Sequence, residues 1–294
     1  VTGVIILDKP GGITSFRAVQ LVGRILREKK CGHAGTLDPM ATGVLPICLG
    51  RATKIAGYLT VQDKEYDVSF RFGISTDTGD VTGKPVEEIE GASVPETVVR
   101  EAVAGLTGSW MQTPPAVSAI KVDGVRSYKL ARKGEAVDLA PRPVTVTESG
   151  MLSWAPGGFR MRVACSKGFY VRSLSRDLGA LFGVPMAVAT LRRTRCGPFR
   201  AEDAVTLEQL EQAALEGRAE AAAIPIPRAL GHLPCRAIPP PAVEAVRQGR
   251  TPGPWLSGLE PGDGGLALLA REDGDVVALV SRDAAGGWSI VRGI

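Results

Sequence analysis

The sequence predicts an α+β fold: a mixed, largely antiparallel central sheet flanked by helices, followed by a small β-rich unit. Three observations carry this. Residues 64–72 alternate, with Tyr66, Val68, Phe70 and Phe72 on one side and Glu65, Asp67, Ser69 and Arg71 on the other. Phe159, Met161, Val163 and Cys165 repeat the pattern opposite Arg160 and Arg162. Such alternation marks half-buried antiparallel strands, since parallel strands are covered on both faces and read as unbroken apolar runs. Between the strands lie segments with helical spacing, which gives the mixture its class. Finally, Pro234 and the run Pro239-Pro240-Pro241 coincide with a shift in charge, dividing the chain into 1–232 and 233–294.

In chain order, Val4 to Leu7 is an apolar strand ending in the turn Asp8-Lys9-Pro10-Gly11-Gly12. Thr14 or Ser15 caps a helix running to about Lys30, with Val19, Val22, Ile25 and Leu26 on one face and Lys29-Lys30 at its C-terminal end. A strand over Val44–Leu49 and a short helix from Arg51 to Leu59 follow the next loop. After the alternating strand at 64–72, helices are expected at 95–106, 126–133, 171–181 and 206–216. Beyond the prolines, Leu266–Ala270, Asp275–Val280 and Trp288–Val291 read as short strands between Gly/Asp turns.

The net charge of +4 is unevenly spread. From Leu233 onward there are six arginines, no lysine and seven acids, so the first 232 residues carry 29 basic and 24 acidic side chains. A polyanionic partner should therefore meet mainly the first part. Five cysteines without a C-x-x-C pair suit reduced thiols rather than a disulfide framework or a zinc cluster. No apolar run is long enough to span a bilayer and no start resembles a signal peptide, so a cytoplasmic protein is expected.

One loop stands out chemically. In Gly32-His33-Ala34-Gly35-Thr36-Leu37-Asp38-Pro39-Met40-Ala41-Thr42-Gly43, Asp38 is the only acid between Glu28 and Asp63, while Lys29, Lys30, Arg51 and Lys54 flank it. A lone acid among basic residues in a loop invites a chemical role, although an Asp-Pro can equally be an Asx-turn. Cys31, His33 and Asp38 lack the distant partner pair of a metal site. Gly32–Gly35 resembles the GXXG loop of KH domains, but Leu37-Asp38-Pro39 favours an extended path where a helix should begin. Gly79–Pro85 is one residue short of a P-loop and has proline where Ser or Thr should hold magnesium. Only His33 and His232 are available, and no G-x-S-x-G occurs.

Five segments in register decide between these readings. They are Leu7-Asp8-Lys9-Pro10 with Gly12, Thr14 and Ser15; the loop Gly32–Val44; Lys64-Glu65-Tyr66; Ser166-Lys167-Gly168-Phe169-Tyr170-Val171-Arg172-Ser173-Leu174; and Leu191-Arg192-Arg193-Thr194-Arg195-Cys196-Gly197-Pro198-Phe199. Together, over about residues 3–230, they closely resemble the TruB family of tRNA pseudouridine synthases. The resemblance implies the pseudouridine synthase fold, a small PUA-like C-terminal domain, and isomerisation of uridine 55 in the tRNA T loop by a monomer without cofactor or metal. It also implies that Asp38 is the catalytic aspartate, Tyr66 the active-site tyrosine and Arg172 the arginine that pairs with the aspartate.

Those residue types suit the reaction. A carboxylate can attack the sugar or take a proton from it, an arginine beside it favours the charged form, and an aromatic ring offers uracil a stacking face. On the residues alone, Tyr66 could be plain core and Arg172 a surface arginine at a helix start. The family's histidine, here His33, helps hold the target base out of the T loop. Lys29, Lys30, Arg51, Lys54, Arg192, Arg193, Arg195 and Arg200 are expected phosphate contacts. Lys9 either touches RNA or supports the loops, and Lys167 either binds phosphate or ends a strand. Val117 stands where the family often has tyrosine, so packing there is expected to differ. An RNA-folding factor would need the basic surface without Asp38. A glycoside hydrolase would need a second carboxylate, which this loop lacks.

Overall fold

The computed structural model describes residues 1–118, 120–122, 125–127 and 139–294. The helix expected at 126–133 falls almost entirely outside the described residues. The central sheet has nine strands. Along its main path run β1 (Gly3–Lys9), β3 (Thr42–Leu49), β12 (Met186–Cys196), β4 (Lys64–Phe72), β11 (Gly158–Cys165), β10 (Arg142–Ala155) and β7 (Gly108–Gln112). Two short strands attach at the side, β2 (Cys31–His33) on β3 and β13 (Phe199–Arg200) on β12. All pairings are antiparallel except the brief β12–β3 contact, where Arg192 faces Thr42 and Arg193 faces Gly43. Two hairpins stand apart: β5 (Ile74–Thr76) with β6 (Pro85–Glu88), and β8 (Lys121–Val122) with β9 (Val125–Arg126).

Both alternating segments form the strands they predict and lie side by side, with Tyr66 opposite Val163 and Phe70 opposite Phe159. The Phe70 and Phe159 rings pack 5.0 Å apart on the core face. Helices α1 (Ser15–Ile25), α2 (Ala56–Thr60), α3 (Glu96–Ala104), α4 (Val171–Phe182) and α5 (Leu207–Leu215) flank the sheet. Thr14 caps α1, accepting the Arg17 amide at 3.0 Å.

Two expected helices differ in extent. α1 ends at Ile25, five residues early, because the backbone turns left-handed at Arg27. The segment after Gly50 is a 3-10 turn over Gly50–Ile55 before α2 begins. Strands β10 and β12 were not expected.

After the short helix α6 (Ile226–Ala229), a second sheet runs β14 (Cys235–Ala237), β15 (Leu266–Ala270), β16 (Val276–Arg282) and β17 (Trp288–Gly293). The proline run opens helix α7 (Pro240–Arg247), where a first-turn proline costs no hydrogen bond. The two sheets share one apolar cluster, with Val4, Ile6, Val44 and Cys48 on one side and Leu268, Val276 and Leu279 on the other. Arg51 adds a bidentate pair to Asp275, at 2.6 and 3.1 Å.

Candidate active site

Asp38 sits in the turn between β2 and β3, and neighbouring side chains fix the backbone around it. Ser15, buried at the start of α1, clasps the preceding residue. Its Oγ accepts the Leu37 amide at 2.9 Å and donates to the Leu37 carbonyl at 3.0 Å. The following residue, Pro39, accepts at its carbonyl from the Gly12 amide at 2.9 Å and from Lys9 Nζ at 3.3 Å. Arg193 reaches under the same loop, donating to the carbonyls of Val44 (2.7 Å), Gly35 (3.0 Å) and Thr36 (3.4 Å). Gly43 makes this approach possible: a Cβ there would stand 2.2 Å from the Arg193 carbonyl oxygen.

Arg172 comes from the first turn of α4 and meets Asp38 fork to fork. Nε donates to Oδ2 and Nη2 to Oδ1, both at 2.8 Å. The rest of its guanidinium is spent on the backbone, with Nη1 on the Thr78 carbonyl (2.9 Å) and Nη2 also on that of Val117 (3.0 Å). A planar donor fork is the geometry that holds a carboxylate in one orientation. The arginine side chain is 6% exposed and the aspartate 31%, so the pair closes inward and the carboxylate alone opens outward.

A second clasp positions α4. Gln112, a buried amide, accepts the Tyr170 N–H at 2.8 Å and donates to the Tyr170 carbonyl at 3.2 Å. Gly79 lets the Thr78–Gly79 turn approach, since a Cβ there would lie 3.2 Å from the Arg172 Cβ and its φ is +78°.

Tyr66 is nearly buried on β4, opposite Arg193 of β12. Burial pushes its phenol well above the usual range, and the nearby Arg193 guanidinium only partly counters that. Burial also pushes the Lys9 ammonium down to about 8, with Asp38 holding it up and Arg193 pressing it lower. Tyr170 is raised as well, chiefly by burial, with Arg142 and Arg172 opposing and Asp38 adding to the rise.

The residues around this site match known sequences. Residues 23–171 match the model of the TruB family pseudouridylate synthase N-terminal domain, and residues 172–231 match the tRNA pseudouridylate synthase B C-terminal domain. A tRNA pseudouridine synthase B of Mycobacteroides abscessus is 41% identical over 98% of this chain and 95% of its own. One of Aromatoleum aromaticum is 47% identical over 80% of this chain and 75% of its own. The chain belongs to the TruB family. As a TruB-type tRNA pseudouridine synthase it is an isomerase. Its fold is shared with a chain of an archaeal box H/ACA sRNP Nop10–Cbf5 complex, at TM-score 0.72 and 27% identity over 100% of this chain and 86% of that one. A chain of an H/ACA RNP bound to a substrate RNA containing 2′-deoxyuridine gives TM-score 0.71 at 26% identity, over 100% and 84%.

Several cations of this TruB-family enzyme that sequence patterning assigned to RNA are engaged elsewhere. Lys9 is 0% and Arg193 1% exposed, and their donors are directed at backbone carbonyls, so neither offers a surface to phosphate. Arg51 binds Asp275, Lys54 donates to the Gly293 carbonyl at 2.8 Å, and Arg192 grips Asp8 at 2.8 and 2.9 Å. Arg195 is half-buried and Arg200 exposed. Lys29, Lys30 and Lys167 are exposed, and His33 is half-buried on β2.

Sequence patterning also missed Ser15, Gln112 and the Thr78–Gly79 turn as builders of the site. Ser15 stood in the first motif and as a cap candidate without this role, and the glycines of Gly79–Pro85 were the signal for the Thr78–Gly79 turn. Val117, read as a departure from the family pattern, serves Arg172 through its carbonyl, which any side chain there would supply.

Proposed function

We propose that this enzyme isomerises uridine 55 in the T loop of tRNA to pseudouridine, with Asp38 starting the reaction and no cofactor. The observation that carries the reading is the bidentate Asp38–Arg172 pair, which presents one oriented carboxylate in a loop with no second acid. Isomerisation breaks the N-glycosidic bond, turns the detached uracil, joins its carbon 5 to the sugar and releases the carbon-5 proton. Asp38 acts on the sugar, as nucleophile at C1′ or as base at C2′. Arg172 keeps the carboxylate aimed, and its bidentate grip opposes a swing away.

Tyr66 gives the detached uracil an aromatic face to stack on, and its phenol hydroxyl is a candidate to move the carbon-5 proton in the last step. A uridine inside a folded loop must be flipped out to reach Asp38, at a cost of about a few kcal/mol that protein contacts offset. We assign His33, beside the Asp38 loop, to holding the loop that the base leaves. We take residues 1–232 as the catalytic unit and 233–294 as a PUA-like unit. The working form is taken as a cytoplasmic monomer, as the family resemblance implies.

Incubation of the protein with an unmodified T stem-loop RNA, followed by mapping of pseudouridine, tests this directly. The product is expected at the single uridine corresponding to position 55. Asp38→Asn should lower the single-turnover rate by more than roughly 10³-fold. Undiminished product from that variant would overturn the mechanism, and release of free uracil would show a hydrolase instead.

A further inference from the structure

Of the expected phosphate contacts, Lys29 and Lys30 stay free, and Arg17, Arg24 and Arg27 join them on the outer face of α1 and its exit. Arg17 and Arg24 lie seven residues apart, on one side of the helix, with Gln20 between them. Arg27, Lys29 and Lys30 follow at the helix exit, and all five basic side chains are exposed. None of them makes a hydrogen bond or ion pair among the described residues, and no acid occurs from Thr14 to Arg27. Glu28, the one acid beside them, is held by the Val1 amine at 3.1 Å and the Lys30 amide at 2.9 Å.

Arg27 adds an independent sign. α1 closes with a Schellman turn, in which the Glu28 amide donates to the Gly23 carbonyl (2.9 Å) and the Arg27 amide to that of Arg24 (3.2 Å). The residue between must be left-handed, and glycine is the usual occupant. Here it is Arg27, at φ +50°, the only non-glycine residue with positive φ among the described residues. Its long side chain makes no hydrogen bond or ion pair among the described residues to offset that strain. A strained residue kept without an internal partner points to an external one.

We propose that the stripe Arg17, Arg24, Arg27, Lys29 and Lys30 is an RNA backbone track leading from the Asp38 site along the outer face of α1. The proposal rests on the RNA-modifying function above. The track begins at the site, because Ser15 clasps Leu37 beside Asp38. Phe16, 67% exposed at that end, supplies a flat apolar face next to the first cation, suited to an unpaired base. At 1.5 Å per residue, Arg17 and Arg24 are about 10 Å apart along the axis, so they meet different phosphates. RNA is the occupant that the charge and the continuity with the site select.

Binding of an unmodified tRNA transcript is measured against salt in an Asp38→Asn background, so the result does not depend on whether pseudouridine forms. Arg27→Gly should lower the slope of log K against log salt by about 0.7–0.9 and weaken binding about fivefold at ~0.15 M salt. The same change should raise Tm by roughly 2 °C as the left-handed strain is relieved. Arg27→Lys keeps the charge and should keep the slope. Arg17→Ala combined with Arg24→Ala should lower the slope by about twice as much as Arg27→Gly. An unchanged slope in Arg27→Gly, or in the Arg17/Arg24 double variant, would overturn the track. Absence of pseudouridine from the wild-type enzyme would sink the catalytic reading and leave this binding result to stand or fall alone.

Discussion

Two groups of cations lie on segments that meet at the Asp38 loop, and the fold uses them in opposite ways. Lys9 and Arg193 are sealed beneath the Asp38 loop, each with its donors on backbone carbonyls. Arg17, Arg24, Arg27, Lys29 and Lys30 stand on the outside of α1 with no partner among the described residues. The first group lies in the motif-bearing segments and the second between two of them, yet both look like phosphate contacts when read as charge alone. Access to solvent separates them. A buried cation whose hydrogen bonds are satisfied by main chain holds a loop in shape, whereas an unpaired exposed one keeps its charge available for a polyanion.

The largest effect that could break this comparison comes from Arg193. Arg193→Met leaves the carbonyls of Val44, Gly35 and Thr36 without their donor and should destabilise the protein by roughly 3 kcal/mol. A thermal melt should register this as a drop of about 6–10 °C. The salt slope of RNA binding should not move, and a reduced slope would return Arg193 to the RNA surface.

Lys9 supplies a smaller effect with a defined pH window. Its folded value of about 8 lies below the ordinary lysine value. Below about pH 8 both folded and unfolded chains hold the proton, and the cost of burying the charge is fully present. Between about 8 and 10.4 the unfolded chain binds more protons, so stability rises with pH. Denaturation of wild type and Lys9→Met should show wild type gaining roughly 2 kcal/mol on the variant between pH 8 and 10. Asp38→Asn, by removing the anion that holds Lys9 up, should move the onset of that gain to lower pH.

The smallest effect concerns Arg51, which is neither sealed nor free. Its pair with Asp275 is 42% and 32% exposed, so screening by water limits its worth. A double-mutant cycle on the two residues should give a coupling of about 0.5–1 kcal/mol, with the RNA salt slope unchanged. A lowered slope in Arg51→Ala would place this arginine with the α1 set.

The legibility of the elements follows the same division. β4 and β11 could be read because one face is buried along their whole length, so the two-residue period is unbroken. β12 carries the same pairing but has register shifts between Val188 and Thr190 and between Arg193 and Arg195. Each bulge flips the alternation, and the arginines of its second half look like a basic loop. β10 is broken in the same way, between Val146 and Glu148 and between Met151 and Ser153. The early end of α1 was hidden because Arg27 occupies a position where glycine is the usual marker.

By itself, the sequence determined the fold class and the family, and it nominated Asp38, Tyr66 and Arg172 for the candidate site. Periodic burial and short motifs are local properties, and five motifs in order identify a family. Only the tertiary structure decided which cations face solvent and which side chains hold the Asp38 loop and the start of α4 in shape. Arg172 reaches Asp38 across 134 positions of sequence, and Ser15 and Gln112 act on main-chain atoms that every residue carries. Charge is written in the sequence, but the solvent and partners that give a charge its role come from packing between distant segments.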